Sequence, residues 1–238
     1  MRRMRKSGLA LALTSATLVA AHVAPATRRW PSSLLFPRIV RVETDDNAVA
    51  LTFDDGPDQG LSDFLEVLEG VAACATFFVS GEQVERDPSR LREIVSCDHE
   101  VGVHCYRHRH HLLLSPASAV EDMRRARSVI EEAAELPTRF FRPPYGRFSS
   151  TSWLEAGRQG WKRVLWTRNG SDWAPWATPQ TIVDNIGWPT AGDILLLHDS
   201  DRYGTPGSWR VTLEALPIIL ERIATQGLRT CSVGEIVL

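Results

Sequence analysis

The chain has 238 residues, 43% of them hydrophobic and 24% charged, with 16 glycines and 14 prolines. That balance excludes a disordered tract, a collagen-like fibre and a bundle of membrane spans, and the length suits one enzyme-sized domain. Arg2, Arg3, Arg5, Lys6, Arg28 and Arg29 fall in the first 30 residues with no acid among them; setting these six aside turns the formal net charge of −2 into −8 for the remainder, which argues against a nucleic-acid partner.

Residues 1–6 are basic, 9–21 apolar, and Ala24, Pro25 and Ala26 supply small residues, the order of a secretory signal. A retained membrane anchor is the alternative, weakened by Thr14, Ser15, Thr17 and His22. Residues 1–26 are therefore assigned to a signal peptide or N-terminal membrane anchor, 27–46, with Pro31 and Pro37, to a linker, and 47–238 to a single catalytic domain. In that domain apolar runs of strand length alternate with stretches of helical period, which predicts an α/β chain of seven repeats. Strands are expected at 49–53, 75–79, 100–104, 139–142, 163–166, 193–198 and 228–233. A helix over 118–135 would bury Val120, Met123, Arg127, Ile130 and Ala134, and one over 211–223 would bury Leu216, Leu220 and Ile223. No internal repeat is visible, so one barrel-like unit is favoured over an array, with an open doubly wound sheet as the alternative.

Five short segments carry the chemistry: Thr52 to Pro57 (TFDDGP), His104 to His108 (HCYRH), Arg142 to Gly146 (RPPYG), Asp172-Trp173, and Leu196 to Asp199 (LLHD). Adjacent carboxylates can divide their duties, one binding a metal and the other holding a water, while two histidines complete three protein ligands and leave positions open for catalysis. On the predicted map the segments follow or close successive strands, and the carboxyl ends of barrel strands converge on one rim. Each segment alone has a plainer reading: Asp54-Asp55 as a capping turn, the histidines as a surface loop that includes His110 and His111, Arg142 with Asp172 as a structural ion pair. Their joint order is what favours a metal hydrolase. The four cysteines lack zinc-finger spacing; Cys74 and Cys231 are expected to be buried small residues, and Cys105, alternating with His104 on a strand, to face away from a metal.

With these five motifs in place, the chain resembles the polysaccharide deacetylases of carbohydrate esterase family four, the NodB-homology domain, over about residues 47–238. The resemblance implies an α/β fold of the distorted (β/α)7 type, TIM-barrel-like, that removes acetyl groups from N-acetylated amino sugars with a divalent metal. It implies Asp55, His104 and His108 as metal ligands, with zinc as the ion and cobalt able to substitute. Asp54 would be the general base, held by Arg142, and His198 the acid that protonates the leaving amine, oriented by Asp172. The Tyr145 backbone amide would face the oxyanion, and Trp173 and Leu196 would wall the slot for the acetyl methyl. His110 and His111 are not ligands on this pattern. An acetylated glycan or amino-sugar substrate, a monomer, export to the cell envelope or beyond, and membrane attachment through the N-terminus as an option complete the expectation. Asn169, Cys105 and Asp98 depart from common family residues, and the stretch 200–209 is a loop that could reshape the cleft. Trp161, Trp166, Trp176 and Trp188 are expected to serve the core, with at most one of them stacking on sugar. A hydrolase of another N-acyl or O-acetyl substrate, and a noncatalytic carbohydrate-binding protein on the same barrel, remain as alternatives.

Overall fold

The computed structural model describes residues 17–27 and 32–237. The basic start and most of the apolar run of the expected signal or anchor, residues 1–16, lie outside the described residues. No helix among the described residues is long and apolar enough to cross a membrane.

Parallel strands form the centre. Their order is β5-β4-β3-β2-β1-β7-β6, with β8 paired to β1: β1 is Ala48–Asp54, β2 Thr76–Ser80, β3 Glu100–Cys105, β4 Phe140–Phe141, β5 Lys162–Arg163, β6 Arg168–Asn169, β7 Ile194–His198 and β8 Arg229–Cys231. Every registered pair is parallel. The central strands β1, β2 and β7 read AVALTFD, TFFVS and ILLLH and are buried on both faces nearly throughout, as a sheet wrapped by helices requires. β5 and β6 sit at opposite ends of this order yet are only a few residues apart in sequence, so the sheet must curl until its edges approach. The result is a distorted α/β barrel.

Of the strand predicted at 163–166 only Arg163 lies in a strand, and a second, unpredicted strand follows at Arg168–Asn169. β5 pairs with β4, the chain then departs, and β6 resumes against β7. Between them Val164 bridges Ile39 and the Leu165 amide donates to the Ile39 carbonyl at 2.7 Å. Residues from the stretch expected as a linker thus take up backbone groups that the barrel leaves open there: Val42 N–H bonds Gly192 O at 2.9 Å, and Arg41 ion-pairs with the buried Asp193. Further upstream, Pro25 and Ala26 are buried and Arg38 donates to Pro25 O at 2.7 Å.

The helix predicted over 118–135 runs Pro116–Ala134, capped by Ser115 and opened by proline at its first turn, and it ends at Glu135 in the left-handed region with φ 55°. Its buried face is Ala119, Asp122, Met123, Ala126, Ile130, Ala133 and Ala134. The expected stripe through Val120 and Arg127 is therefore turned by about one residue; Arg127 instead pairs with Glu131 and Gln159 on a half-buried flank. The helix Ser208–Thr225 buries Leu216, Leu220 and Ile223 as expected. Cys231 is fully buried and Cys74 half-buried, both as free thiols. Trp161 belongs to the core, whereas Trp176 and Trp188 are 60% exposed, against expectation.

Candidate active site

The barrel brings the five segments to one mouth. Asp54 is the last residue of β1, His104 lies near the end of β3, Arg142 follows β4, Asp172 follows β6, and His198 closes β7. A cavity of about 220 Å³ at this end is lined by Asp54, Asp55, His104, His108, Tyr145, Gly146, Trp166, Trp173, Leu196, His198 and Tyr203.

Local backbone devices aim the side chains. Between β2 and β3 the register skips, Val79 facing Val103 and Ser80 facing Cys105, so His104 is the extra residue of a bulge. A bulge re-aims a strand end. It lets His104 face the cavity while Cys105 turns away, its sulfur 3.4 Å from Ser80 Oγ; burial pushes that thiol well above its usual range. Asp55 has φ 83°, a left-handed conformation that costs a non-glycine residue on the order of 1–3 kcal/mol and that clusters at functional sites. The next residue, Gly56, admits no side chain, because a Cβ there would fall 2.0 Å from Asp199 Oδ2. Tyr145 is left-handed as well, with φ 59°, interrupting the turn Pro144–Gly146. Asp98 has φ 59°, the conformation glycine favours.

Three donors converge. Oδ1 of Asp55 lies 3.4 Å from His104 Nε2 and 3.5 Å from His108 Nε2, and the potential ligand atoms of the three residues lie within 4.8 Å of one another. Asp55 Oδ1 is buried without an aligned hydrogen bond, and so is Nδ1 of each histidine. Burial works to raise the Asp55 carboxyl, but the hydrogen-bonding and charge of His104, His198 and His108 bring it down to about 2; burial pushes His108 down to about 4. An ionised carboxylate and a neutral imidazole are the protonation states that a metal needs, and a buried Asp55 Oδ1 without a hydrogen-bond partner, facing Nε2 of both histidines, fits a divalent ion. His110 and His111 lie outside this group: His110 stacks on Tyr145, and His111 is buried against Phe141.

Beside the triad sit Asp54 and His198, each held by a partner of its own. Arg142, fully buried, donates through NH1 to Asp54 Oδ1 at 2.7 Å and to Thr52 Oγ1 at 2.8 Å, and through NH2 to Leu165 O at 3.0 Å. Its partner is thus Asp54, not Asp172. The break between β5 and β6 matters here, because the departure at Leu165 is what frees that carbonyl. His198 Nδ1 bonds Asp172 Oδ1 at 2.9 Å while its backbone N–H donates to Asp172 Oδ2 at 2.7 Å. Burial works to lower the His198 imidazole, yet Asp172, Asp55 and Asp54 together raise it to about 10.

Four residues of this site escaped sequence reasoning. Thr212, on the helix Ser208–Thr225, donates to Asp172 Oδ2 at 2.9 Å. Asp122 is buried under the loop between the two histidines and accepts from Tyr106 N–H at 2.9 Å, Arg107 N–H at 3.2 Å and Arg109 at 2.8 Å. Asp199, part of a motif but given no role, accepts from Gly56 N–H at 3.1 Å, and burial pushes its carboxyl up to about 8. Tyr203 comes from the loop after β7 and stacks on His108. Asp122 lies on a predicted helix, one position from the stripe expected to be buried.

Comparison with known proteins matches this geometry. Residues 41–164 match the family described as polysaccharide deacetylase. The chain belongs to the polysaccharide deacetylase family. As a polysaccharide deacetylase it is a hydrolase, in the class of family-four carbohydrate esterases. A peptidoglycan-N-acetylglucosamine deacetylase of Bacillus cereus is 32% identical over 199 residues, 82% of this chain and 90% of that protein. Among solved structures, a family 4 carbohydrate esterase from Streptomyces lividans, in complex with acetate, superposes with a TM-score of 0.69 at 31% identity, covering 78% of this deacetylase and 91% of that chain. A pseudoenzyme of the same family from Bacillus anthracis gives a TM-score of 0.75 at 26% identity, over 85% and 69% of the two chains.

Proposed function

We propose that the protein is an exported, metal-dependent deacetylase that hydrolyses N-acetyl groups of amino sugars in a cell-wall glycan or its oligosaccharides. The observation that carries this reading is the pairing of Asp54 with Arg142 and of His198 with Asp172 beside the Asp55, His104 and His108 group, at one cavity. Asp55, His104 and His108 would hold a divalent ion, with zinc best matched to a carboxylate–imidazole set and cobalt able to replace it, and such an ion would supply Lewis acidity and make water more acidic.

The remaining steps belong to the side chains. Asp54, oriented by the Arg142 guanidinium, takes the proton of the attacking water. His198 carries a proton at neutral pH because Asp172 holds its imidazole, and gives it to the amine as the carbon–nitrogen bond breaks. The Tyr145 backbone amide faces the oxygen that gains charge. Trp173, whose ring meets the His198 ring edge-on at 5.2 Å, and Leu196 close the pocket around the methyl group.

A binding protein without activity is the reading suggested by likeness to a pseudoenzyme, but it gives no reason to keep a buried base and a half-buried acid, each with its own partner. Released acetate measured over peptidoglycan, chitin oligomers, acetylated xylan and small N-acetyl compounds tests the assignment. Release from the N-acetylated glycans is expected to dominate; release from the xylan ester alone, or from none, contradicts it.

Export rests on the basic, apolar and small-residue order of residues 1–26, and a cell-envelope glycan accords with the peptidoglycan activity of the Bacillus cereus relative. Fractionation of the native host should place the chain outside the cytoplasm, free or at the membrane. Full-length protein confined to the cytosol would remove the preference for an envelope substrate.

A further inference from the structure

His108 is held in an unusual way for a metal ligand. Ligand histidines are generally fixed by a hydrogen bond from the second ring nitrogen to a carboxylate, carbonyl or water. With Nε2 directed at Asp55, the Nδ1 of His108 is buried and has no hydrogen-bond partner among the described residues. Aromatic rings flank it instead. Tyr203 stacks on it at 4.4 Å between centroids with planes 15° apart, and Tyr145 meets it edge-on at 4.6 Å and 61°.

The loop that delivers Tyr203 is anchored on both sides of the cleft. Ser200 Oγ donates to Asp58 Oδ2 at 2.9 Å, tying the loop to the turn that carries Asp55. Thr205 donates through N–H at 3.1 Å and Oγ1 at 2.9 Å to the Trp173 carbonyl. Within the loop, Ser200 Oγ accepts from Arg202 N–H at 3.1 Å and Asp201 Oδ2 from Gly207 N–H at 2.5 Å. Gly204 packs so closely that a Cβ there would lie 3.1 Å from Trp173 Cβ. A ring on so many tethers has one place to be, and a planar stack fixes the tilt of the imidazole against it.

We propose that Tyr203 is a positioning residue for the metal site: by stacking it holds the His108 ring in ligating orientation, standing in for the missing hydrogen bond at Nδ1. The proposal rests on the metal-site reading above. It makes the segment after β7 part of the metal centre as well as of the cleft wall, since moving the loop would move a ligand.

The test uses the full-length protein, zinc affinity by competition with a chromogenic chelator, and the visible spectrum of the cobalt-loaded form. Tyr203→Phe keeps the ring and should match wild type in both. Tyr203→Leu keeps apolar bulk without the planar stack and should bind zinc about 10-fold more weakly, with an altered cobalt spectrum and an unchanged circular dichroism spectrum. Thr205→Val, which leaves Tyr203 in place but removes one tether, should shift affinity the same way by less. Wild-type affinity and spectrum in Tyr203→Leu overturn the proposal, as does a loss in Tyr203→Phe equal to that in Tyr203→Leu, which would place the effect in the hydroxyl. Wild-type protein that takes up neither metal overturns the metal reading itself and this proposal with it.

Discussion

Replacing His198 with alanine is expected to lower amide hydrolysis by about 10² to 10⁴, while an activated acetyl ester loses far less. The difference follows from the leaving groups. An amine cannot depart as an anion and needs the proton that His198 carries; an activated alcohol or phenol leaves with little help. Asp54→Asn keeps the shape of the carboxyl group and its place beside Arg142, but removes the base that every substrate needs, so both reactions should fall by a similar factor of about 10² to 10⁴. Steady-state turnover on an N-acetylated oligosaccharide and on an activated acetyl ester, with metal content checked for each variant, separates the two roles. Equal losses on both substrates in His198→Ala, or nearly full activity in Asp54→Asn, would show the base and acid assignments to be wrong.

Much of this site is legible in the sequence because it consists of strand ends. An apolar run of five to seven residues marks a buried strand of a parallel sheet, and the polar residue that terminates it lies at the barrel mouth; Asp54 and His198 are placed by this rule alone, while His104 and Arg142 lie at the ends of shorter or mixed runs. The rule fails where pairing, not polarity, decides. Residues 163–166 look like one strand, but the barrel closes there by switching partners, and Leu165 exchanges a place in the ladder for a bond to Ile39 and to Arg142. A helix face cannot be fixed to one residue by period alone, so Asp122 was passed over although it shapes the loop between His104 and His108. Tyr203 and Thr212 contribute across a loop and a helix whose relation to the mouth only tertiary packing sets. The exposed Trp176 and Trp188 show the reverse limit, since a large apolar residue does not by itself state that it is buried.

The central claim is that catalysis runs through a divalent metal held by Asp55, His104 and His108. Three donors of suitable type, spaced for a single ion, include a buried Asp55 oxygen that lacks a hydrogen-bond partner, and the carboxylate is held ionised while His108 is held neutral. Stripping the ion should therefore abolish acetate release, and substituting any of the three ligands should reduce both metal content and activity. His110→Ala should leave metal content nearly unchanged, because His110 stacks on Tyr145 outside the ligand group. The decisive measurement is a titration of zinc, and in parallel cobalt, into chelator-stripped protein, following acetate release from an N-acetylated glycan oligomer with metal content read by elemental analysis. Activity should rise from background and saturate at about one ion per chain, as a single three-ligand centre requires. Full activity in protein verified to be metal-free would contradict the account.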